Sequence, residues 1–489
     1  MLHLDGSSLT VTDIARVAAG GVPVHVTSLA RALAARAHAD QTAERRPIYG
    51  RSTGVGGNRL IPLEDPQPAV EGDPALALLR SHASSLGPVR SPERIRAMLL
   101  VRLNQLAAGG SGVDPQVIDG LARMLRADAL PPVRELGGVG TGDLAALATT
   151  ALALLGEVQA SAPLPGPVRF GIGDALPLLS SNAATIADAA LAGVALRDLA
   201  MQSLTIAAAT FSGVNGNPEA YSPVVEQVTP FPGAQQVCRV MRELVELDRA
   251  GARIQDPYSL RALPQVHGPL LDSLDRLDAV VTQLANAPAE NPVFLPEEDV
   301  AHHGGFHVAY LAQALDAMRL ALAQAAQLSL SRLSMLCDPA MTGLPPFLGD
   351  GRPGASGVMT VEYVAASALS SLRALATPAS LQTVTLSHGV EEDASFASLA
   401  ARQALDAVPI YRSLLAGEMV AAVRCLRIRN VEPPGLVTWL RRCAALDPSV
   451  YDRDLTRDLL TAESLLTPSE GDPPSPAFDS SGEPTPGWA

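Results

Sequence analysis

Gly137-Gly138-Val139-Gly140-Thr141-Gly142-Asp143-Leu144-Ala145-Ala146-Leu147 is the stretch on which the reading of this chain turns. Glycine reaches backbone conformations with φ > 0 and removes the side chains that keep peptide groups apart. Asp143 stands where a helix cap belongs, ahead of the uncharged run Leu144–Leu155, and its carboxylate suits the positive end of a helix dipole. The expectation is a tight glycine-lined loop leading into a capped apolar helix, with the Thr141 hydroxyl at its centre.

Around this loop lie 489 residues, 47% of them hydrophobic, enough for a large core. All 36 basic residues are arginine. Without lysine there is no Schiff base and no internal pyridoxal-phosphate aldimine, which removes one common route to amino acid chemistry. A net charge of −14 argues against nucleic acid and anionic membrane as partners. Cys238, Cys337, Cys425 and Cys443 show no C-x-x-C spacing and read as buried thiols of a cytoplasmic protein. Leu144–Leu155 is too short to span a bilayer, and Leu199–Pro218 carries polar residues, Gly and Pro, so a soluble protein is expected.

Helical periodicity dominates. It covers Ala75–Leu86, Ser91–Ala108, Leu144–Gly156, Asp174–Thr210, Pro269–Asn286, Val361–Ala376, Ser395–Cys425 and Pro434–Leu446. His307–Leu336 runs without Gly or Pro, a helix on the order of 45 Å long. Its stripe Leu311, Leu315, Met318, Leu322, Ala325, Ser329, Leu333 and Leu336 fits bundle packing. The division expected is an N-terminal domain over 1–190, a long-helix bundle over 191–466, and a disordered Pro/Ser/Gly/acidic tail over 467–489.

Several side chains carry chemistry. Tyr49 sits in Pro47–Asn58, with four glycines in eight residues, a composition suited to a lid that closes over a site. Arg261, in Gln255-Asp256-Pro257-Tyr258-Ser259-Leu260-Arg261, offers a planar fork for a carboxylate, with Gln255 and Tyr258 as neutral hydrogen-bond partners. His303 and His307 stand four apart, but the glycines between them disfavour helix and no third ligand has suitable spacing, so no metal site is expected. Glu391-Glu392-Asp393, taken alone, is a solvated helix start. Ala355-Ser356-Gly357 lacks a glycine-lined approach and reads as structural.

The ordered motifs resemble the aromatic amino acid ammonia-lyases over roughly residues 2–425. The central loop is similar to that family's G-S-V-G-A-S-G-D-L-A-P-L, one residue shorter, with Gly140-Thr141-Gly142 in place of Ala-Ser-Gly. In the family that triplet cyclises and dehydrates to an electrophilic methylidene-imidazolone. Pro47–Asn58 is similar to Y-G-x-x-T-G-F-G, whose tyrosine is a base, at Tyr49. Ser81-His82 matches the histidine enzymes' version of the substrate-selecting helix. Arg102-Leu103-Asn104-Gln105-Leu106 matches R-x-N-x-L. Ser180 falls where the family asparagine bonds the prosthetic carbonyl, with Asn182 two residues away. Gln255–Arg261 and Pro264–Gly268 match Q-D-x-Y-S-L-R…P-Q-V-x-G. Glu290-Asn291-Pro292 resembles D-N-P. The segment around Phe306 resembles G-N-F-H-G, with Gly305 for asparagine, and Glu391–Ala394 resembles Q-E-D-H, with Ala394 for histidine.

The resemblance implies a mostly α, ammonia-lyase-like fold and a homotetramer whose sites combine three chains. It implies C–N elimination from an aromatic or histidine-like α-amino acid. Arg261 would hold the carboxylate and Tyr49 would remove the β-proton. Tyr258 and Gln255 would orient the groups, and Ser81, His82, Asn291, Phe306 and Glu392 would line the pocket. No external cofactor is expected, and dehydrated Thr141 would give an ethylidene-imidazolone. Two other readings stay open. One is a lyase-fold enzyme without a prosthetic group, acting by elimination, isomerisation, addition or cyclisation on a carboxylate substrate. The other is a non-catalytic paralogue that binds or assembles.

Overall fold

The computed structural model describes residues 1–63, 73–164 and 166–467. The tail expected to be disordered lies, beyond Thr467, outside the described residues. The chain is mostly helical, with three two-stranded ribbons among the described residues. Leu2–Leu4 runs parallel to Val24–Val26, Leu86–Val89 antiparallel to Arg134–Leu136, and Val293–Phe294 antiparallel to Val300–Ala301.

Two compact units divide the chain, each built from three segments. The first comprises Met1–Val194, Leu277–Asp316 and Pro378–Leu405; the second comprises Ala195–Arg276, Ala317–Thr377 and Asp406–Ala489. This alternation differs from the contiguous division at 190/191 drawn from composition. The unit limits fall inside the helices Ala183–Gly213, Leu263–Ala285, Ala309–Cys337 and Ala397–Arg429. Local composition carries no signal for where a later segment returns, because long-range packing decides it.

In the first unit, helix starts follow local chemistry. Thr10 and Asp13 form a capping box for Val11–Ala18, while Asp73 and Asp114 cap helices that open on Pro74 and Pro115. Pro92–Ala107 is buried along nearly its whole length. At its centre Arg102, 0% exposed, reaches Glu290 at 2.8 Å and donates to the carbonyls of Pro177 and Leu178. Burial pushes the Glu290 carboxyl up, and the Arg102 guanidinium beside it opposes that shift.

Two expected helices end early here. Ala75–Leu86 stops at His82, because the Ser84-Ser85 and Gly87-Pro88 pairs favour extended chain, and Leu86 opens a strand. Asp174–Thr210 is broken into Ala175–Leu179 and Ala183–Gly213. The break is Ser180-Ser181-Asn182, whose short polar side chains bond elsewhere and compete with the helical ladder.

In the second unit, Arg332 and Glu418 pair in full burial at 2.6 Å. Thr210 and Ser329 donate to the same carboxylate at 2.8 and 2.5 Å. Ala355-Ser356-Gly357 is a turn whose Ser356 and Gly357 amides donate to Asp452. Pro434–Leu446 is an α-helical turn, Val437–Arg442, between two 3-10 turns. The stripe from Leu311 to Leu336 is buried throughout, as are the four free cysteines. The 175–213 segment is long and apolar enough to cross a bilayer, and 83% of its apolar window is buried inside the protein.

Arg102→Ala leaves Glu290 as an unpaired buried charge and is expected to cost about 3–5 kcal/mol of stability, whereas Arg102→Met with Glu290→Leu costs less. Urea unfolding of both variants beside the parent checks this order.

Candidate active site

Gly140 and Gly142 adopt φ of +91° and +117°, a backbone that L side chains rarely take. The turn that results points three successive carbonyls at one short segment. Ser398 Oγ donates to Gly138 O at 2.9 Å, the Phe396 amide to Val139 O at 2.8 Å, and Ser395 Oγ to Gly140 O at 2.8 Å. A methyl on Gly140 would lie 2.3 Å from Ser395 Oγ and 2.8 Å from the Phe396 and Ala397 nitrogens. Glycine at 140 and serine at 395 are therefore complementary.

The helix break holds the loop from its other side. The Gly142 amide donates to Asn182 Oδ1 at 3.1 Å and the Asp143 amide to Ser181 O at 2.7 Å. Asn182 Nδ2 donates to Phe306 O at 2.5 Å, which fixes the orientation of the amide. Ser180 Oγ accepts from the Asn291 amide at 2.9 Å. Asp143 occupies the cap position of Leu144–Leu155 but makes no side-chain bond to that helix. Its carboxylate instead accepts from Thr185 N and Oγ1 at 2.8 and 2.9 Å. The expected cap thus serves the start of Ala183–Gly213, because the break brings those free amides against it. Burial pushes the Asp143 carboxyl up, against the pull of Arg90 and the Thr185 bonds.

Tyr49 follows Ile48, which is buried with Ala35, Ala39, Phe294 and Val300 and anchors the base of the glycine-rich segment. The Tyr49 amide donates to His302 Nε2 at 3.2 Å. Its phenol oxygen accepts from the Gly56 amide at 2.7 Å. Burial pushes the phenol pKa up, and that Gly56 bond opposes the rise. The Gly57 amide donates to Ser387 Oγ at 2.8 Å. The 387–398 segment therefore touches the glycine-rich segment at one end and the central loop at the other.

Glu391-Glu392-Asp393 does not start a helix; the next helix begins at Ala397, after Phe396 at φ +52°. Glu392 is exposed, and it is Asp393 that faces an imidazole, 3.4 Å from His307 Nε2. His303 is committed to the backbone: Nε2 bonds Glu290 O at 2.6 Å and Nδ1 accepts from the Gly305 amide at 3.0 Å. Its own amide donates to Asn291 Oδ1 at 2.9 Å. Ser81 is exposed, and both Ser81 and His82 turn back on Leu78 O of their own helix.

Gln255–Arg261, expected to hold a carboxylate, belongs to the second unit. Asp256 is buried and fixes the turn by accepting from the Asn217 amide at 2.6 Å and from Arg253 Nε at 2.9 Å. Gln255 is exposed and Tyr258 is 68% exposed. The Arg261 guanidinium lies 4.7 Å from the centre of the Tyr258 ring, and its Nε donates to Asp256 O.

The family profile for aromatic amino acid lyases matches residues 9–442. The chain belongs to that family. The enzyme is a carbon–nitrogen lyase of the ammonia-lyase class, acting in amino acid deamination. It is 36% identical over 461 residues to a histidine ammonia-lyase of Gloeobacter violaceus, with 89% of each chain covered. Its fold matches the ergothionase of Treponema denticola at TM-score 0.88, with 25% identity over 95% of this chain and 98% of that one. It matches the histidine ammonia-lyase of Trypanosoma cruzi at TM-score 0.86, with 26% identity over 95% and 93%. Family members use a self-formed methylidene-imidazolone.

The lyase's own loop fits such a ring. Closure would join the Gly140 carbonyl carbon to the Gly142 nitrogen, and both groups are buried and held by side chains. Thr141 is half-buried, and its hydroxyl has no partner among the described residues. Ser395 and Ser398 were not singled out from sequence, and only their neighbourhood with the matched acidic triplet pointed to them.

Gly140→Ala is expected to cost about 1–3 kcal/mol through overpacking against Ser395. The double variant with Ser395→Gly should recover part of that loss in the same denaturation measurement.

Proposed function

We propose that this lyase eliminates ammonia from histidine or a histidine-like α-amino acid, as a cytoplasmic homotetramer. The observation that carries the reading is the clasped Gly140-Thr141-Gly142 loop, beside a segment that also engages the loop bearing Tyr49. Support for a histidine-like substrate comes from the relatives' names and from the Ser81-His82 and Glu392 matches. Support for the assembly comes from Gln255 and Tyr258, which stand exposed on one chain although the family match gives them site roles. The four buried free thiols fit a reducing compartment.

Asn182 and Ser395 would hold an imidazolone formed from Gly140–Gly142, with Phe306 O fixing the Asn182 amide. When formed, that group supplies the electron sink that C–N cleavage needs. The chain's residues do the rest. Arg261 binds the substrate carboxylate through its fork, and the Tyr258 ring beneath it limits the guanidinium to one plane. Gln255 adds a neutral hydrogen bond at the same end. Tyr49 takes the β-proton on its phenol oxygen, and the Gly56 amide, already bonded to that oxygen, stabilises the phenolate. The glycine-rich segment excludes water when it is closed.

Assays of ammonia release from histidine, phenylalanine and tyrosine test the reaction. Tyr49→Phe is expected to lower kcat by about 10²–10⁴-fold. The raised phenol pKa keeps Tyr49 protonated at neutral pH, so its reactive phenolate grows about tenfold per pH unit below that pKa. Accordingly kcat/KM should climb between pH 7 and 9, and Tyr49→Phe should remove the climb; a flat parental profile counts against Tyr49 as base.

Arg261→Ala removes the charged fork and should weaken substrate binding about ten- to hundredfold, the worth of one charge-assisted contact. Isothermal titration with a non-reacting amino acid analogue measures it, and unchanged affinity sinks the clamp.

A further inference from the structure

We propose that Ser395 and Asn182 are positioning residues for the self-cyclisation of Gly140-Thr141-Gly142, with Ser395 drawing the Gly140 carbonyl oxygen toward departure and Asn182 preparing the Gly142 nitrogen to attack. This inference rests on the reading above that the triplet forms an imidazolone, and it names what in this chain brings the ring about.

The two groups that must join are the two that the surrounding side chains hold. Ser395 Oγ donates to Gly140 O at 2.8 Å, which polarises the carbonyl carbon. Asn182 Oδ1 accepts the Gly142 N–H at 3.1 Å, which raises the electron density on that nitrogen. Both side chains are buried. In a water-excluded site, pre-placed donors and acceptors act more strongly than in solution and need no reorganisation. The Asn182 amide cannot flip, since Phe306 O accepts from its Nδ2. Flanking bonds hold the rest of the loop still: Ser398 and Phe396 on the Gly138 and Val139 carbonyls, and Ser181 O on the Asp143 amide. The absence of a side chain at 140 is what admits the serine, because a methyl there would overlap Ser395 Oγ. A hydroxyl aimed at this carbonyl and a glycine at this position are thus one device.

The chemistry balances without an oxidant or co-reactant. The Gly142 nitrogen bonds to the Gly140 carbonyl carbon. The Gly140 oxygen leaves as water with the amide protons of Gly142 and Thr141, and a double bond forms between the Gly140 carbon and the Thr141 nitrogen. Thr141 then loses its α-proton and its hydroxyl as a second water, leaving an ethylidene group on the ring. Ser395 and Asn182 act on the first loss; the Thr141 hydroxyl, free of partners among the described residues, supplies the second.

The test reads the chain itself and needs no turnover. Intact mass and peptide mapping across 137–147 are followed over time after synthesis for the parent, Ser395→Ala, Ser395→Cys and Asn182→Ala, with circular dichroism on each. Cysteine keeps the shape of serine with a somewhat larger atom and is a weak donor, so it serves if the alanine variant does not fold. The parent should lack two waters in this peptide. The Ser395 and Asn182 variants, with unchanged dichroism, should lose them about 10²-fold more slowly, the usual worth of one pre-placed donor at a reacting carbonyl.

Equal rates in parent and variants overturn the roles of Ser395 and Asn182 while leaving the imidazolone in place. A Ser395 variant that promptly loses one water with the Thr141 hydroxyl retained in the peptide map also overturns its role, since the ring then closes without it. A parent peptide of unmodified mass overturns the inference outright. A modified parent that outpaces its Ser395 and Asn182 variants but releases no ammonia from any amino acid supports this inference and counts instead against the proposed reaction.

Discussion

The first unit depends on one buried cation. Arg102 lies fully inside the protein, where an isolated guanidinium would be very costly, and its burial is sustained only by what surrounds it. Glu290 neutralises it, and the carbonyls of Pro177 and Leu178 and the Gln105 side-chain oxygen accept its other hydrogen bonds. Those carbonyls belong to the end of the helix Ala175–Leu179. Their use by Arg102 holds the chain at the point where it leaves helix. Gln105, one turn on, accepts from Ser181 Oγ at 2.6 Å and secures the next step of the break. The ion pair and the side-chain bonds of Ser180, Ser181 and Asn182 together keep this segment non-helical, and this form lets Asn182 and Ser181 face the glycine loop.

From there the loop is determined by complementarity on two sides. Asn182 and Ser181 take the amides at its C-terminal end, and Ser395, Phe396 and Ser398 bond the carbonyls at its N-terminal end. Glycine is needed twice for positive φ, and at 140 it is needed again for space. Asp143 completes the arrangement by capping a helix that is not its own. The result is a loop with very little freedom, held with its carbonyl and amide groups already committed to partners. That is the arrangement the proposed cyclisation calls for.

The second unit solves a comparable problem with Arg332 and Glu418, whose paired charges take the hydroxyls of Thr210 and Ser329 and the Ser259 carbonyl. Ser259 lies inside Gln255–Arg261, so this buried pair also steadies the turn that presents Tyr258 and Arg261. Buried ion pairs of this kind lend specificity of arrangement more than net stability. In both units a charged pair without solvent access stands directly behind the residues to which chemistry is assigned.

Much of this was legible in the order of residues. The predominance of helix, the buried stripe of Leu311–Leu336, the burial of the cysteines and the family membership follow from periodicity and from motifs whose spacing is local. Arg102, Asn182, Glu290 and Gly140–Gly142 could be singled out as residues for the same reason. What could not be read was which groups they meet. The break at 180–182 is masked by the apolar residues before it and the alanine-rich run after it, and the partners that hold it open, Arg102 on the Pro177 and Leu178 carbonyls and Gln105 on Ser181, lie some 75 positions earlier. Asp143 looks like the cap of the helix it precedes, because capping is normally local. Ser395 looks like part of an acidic helix start, because nothing within its own stretch says that Gly140 lies against it. The sequence by itself determined the elements, the family and the candidate residues, since those depend on neighbours in the chain. Only the tertiary structure decided the partners and which chain segments join in each unit, since burial removes water and makes each polar group bond whatever distant residue the fold brings to it.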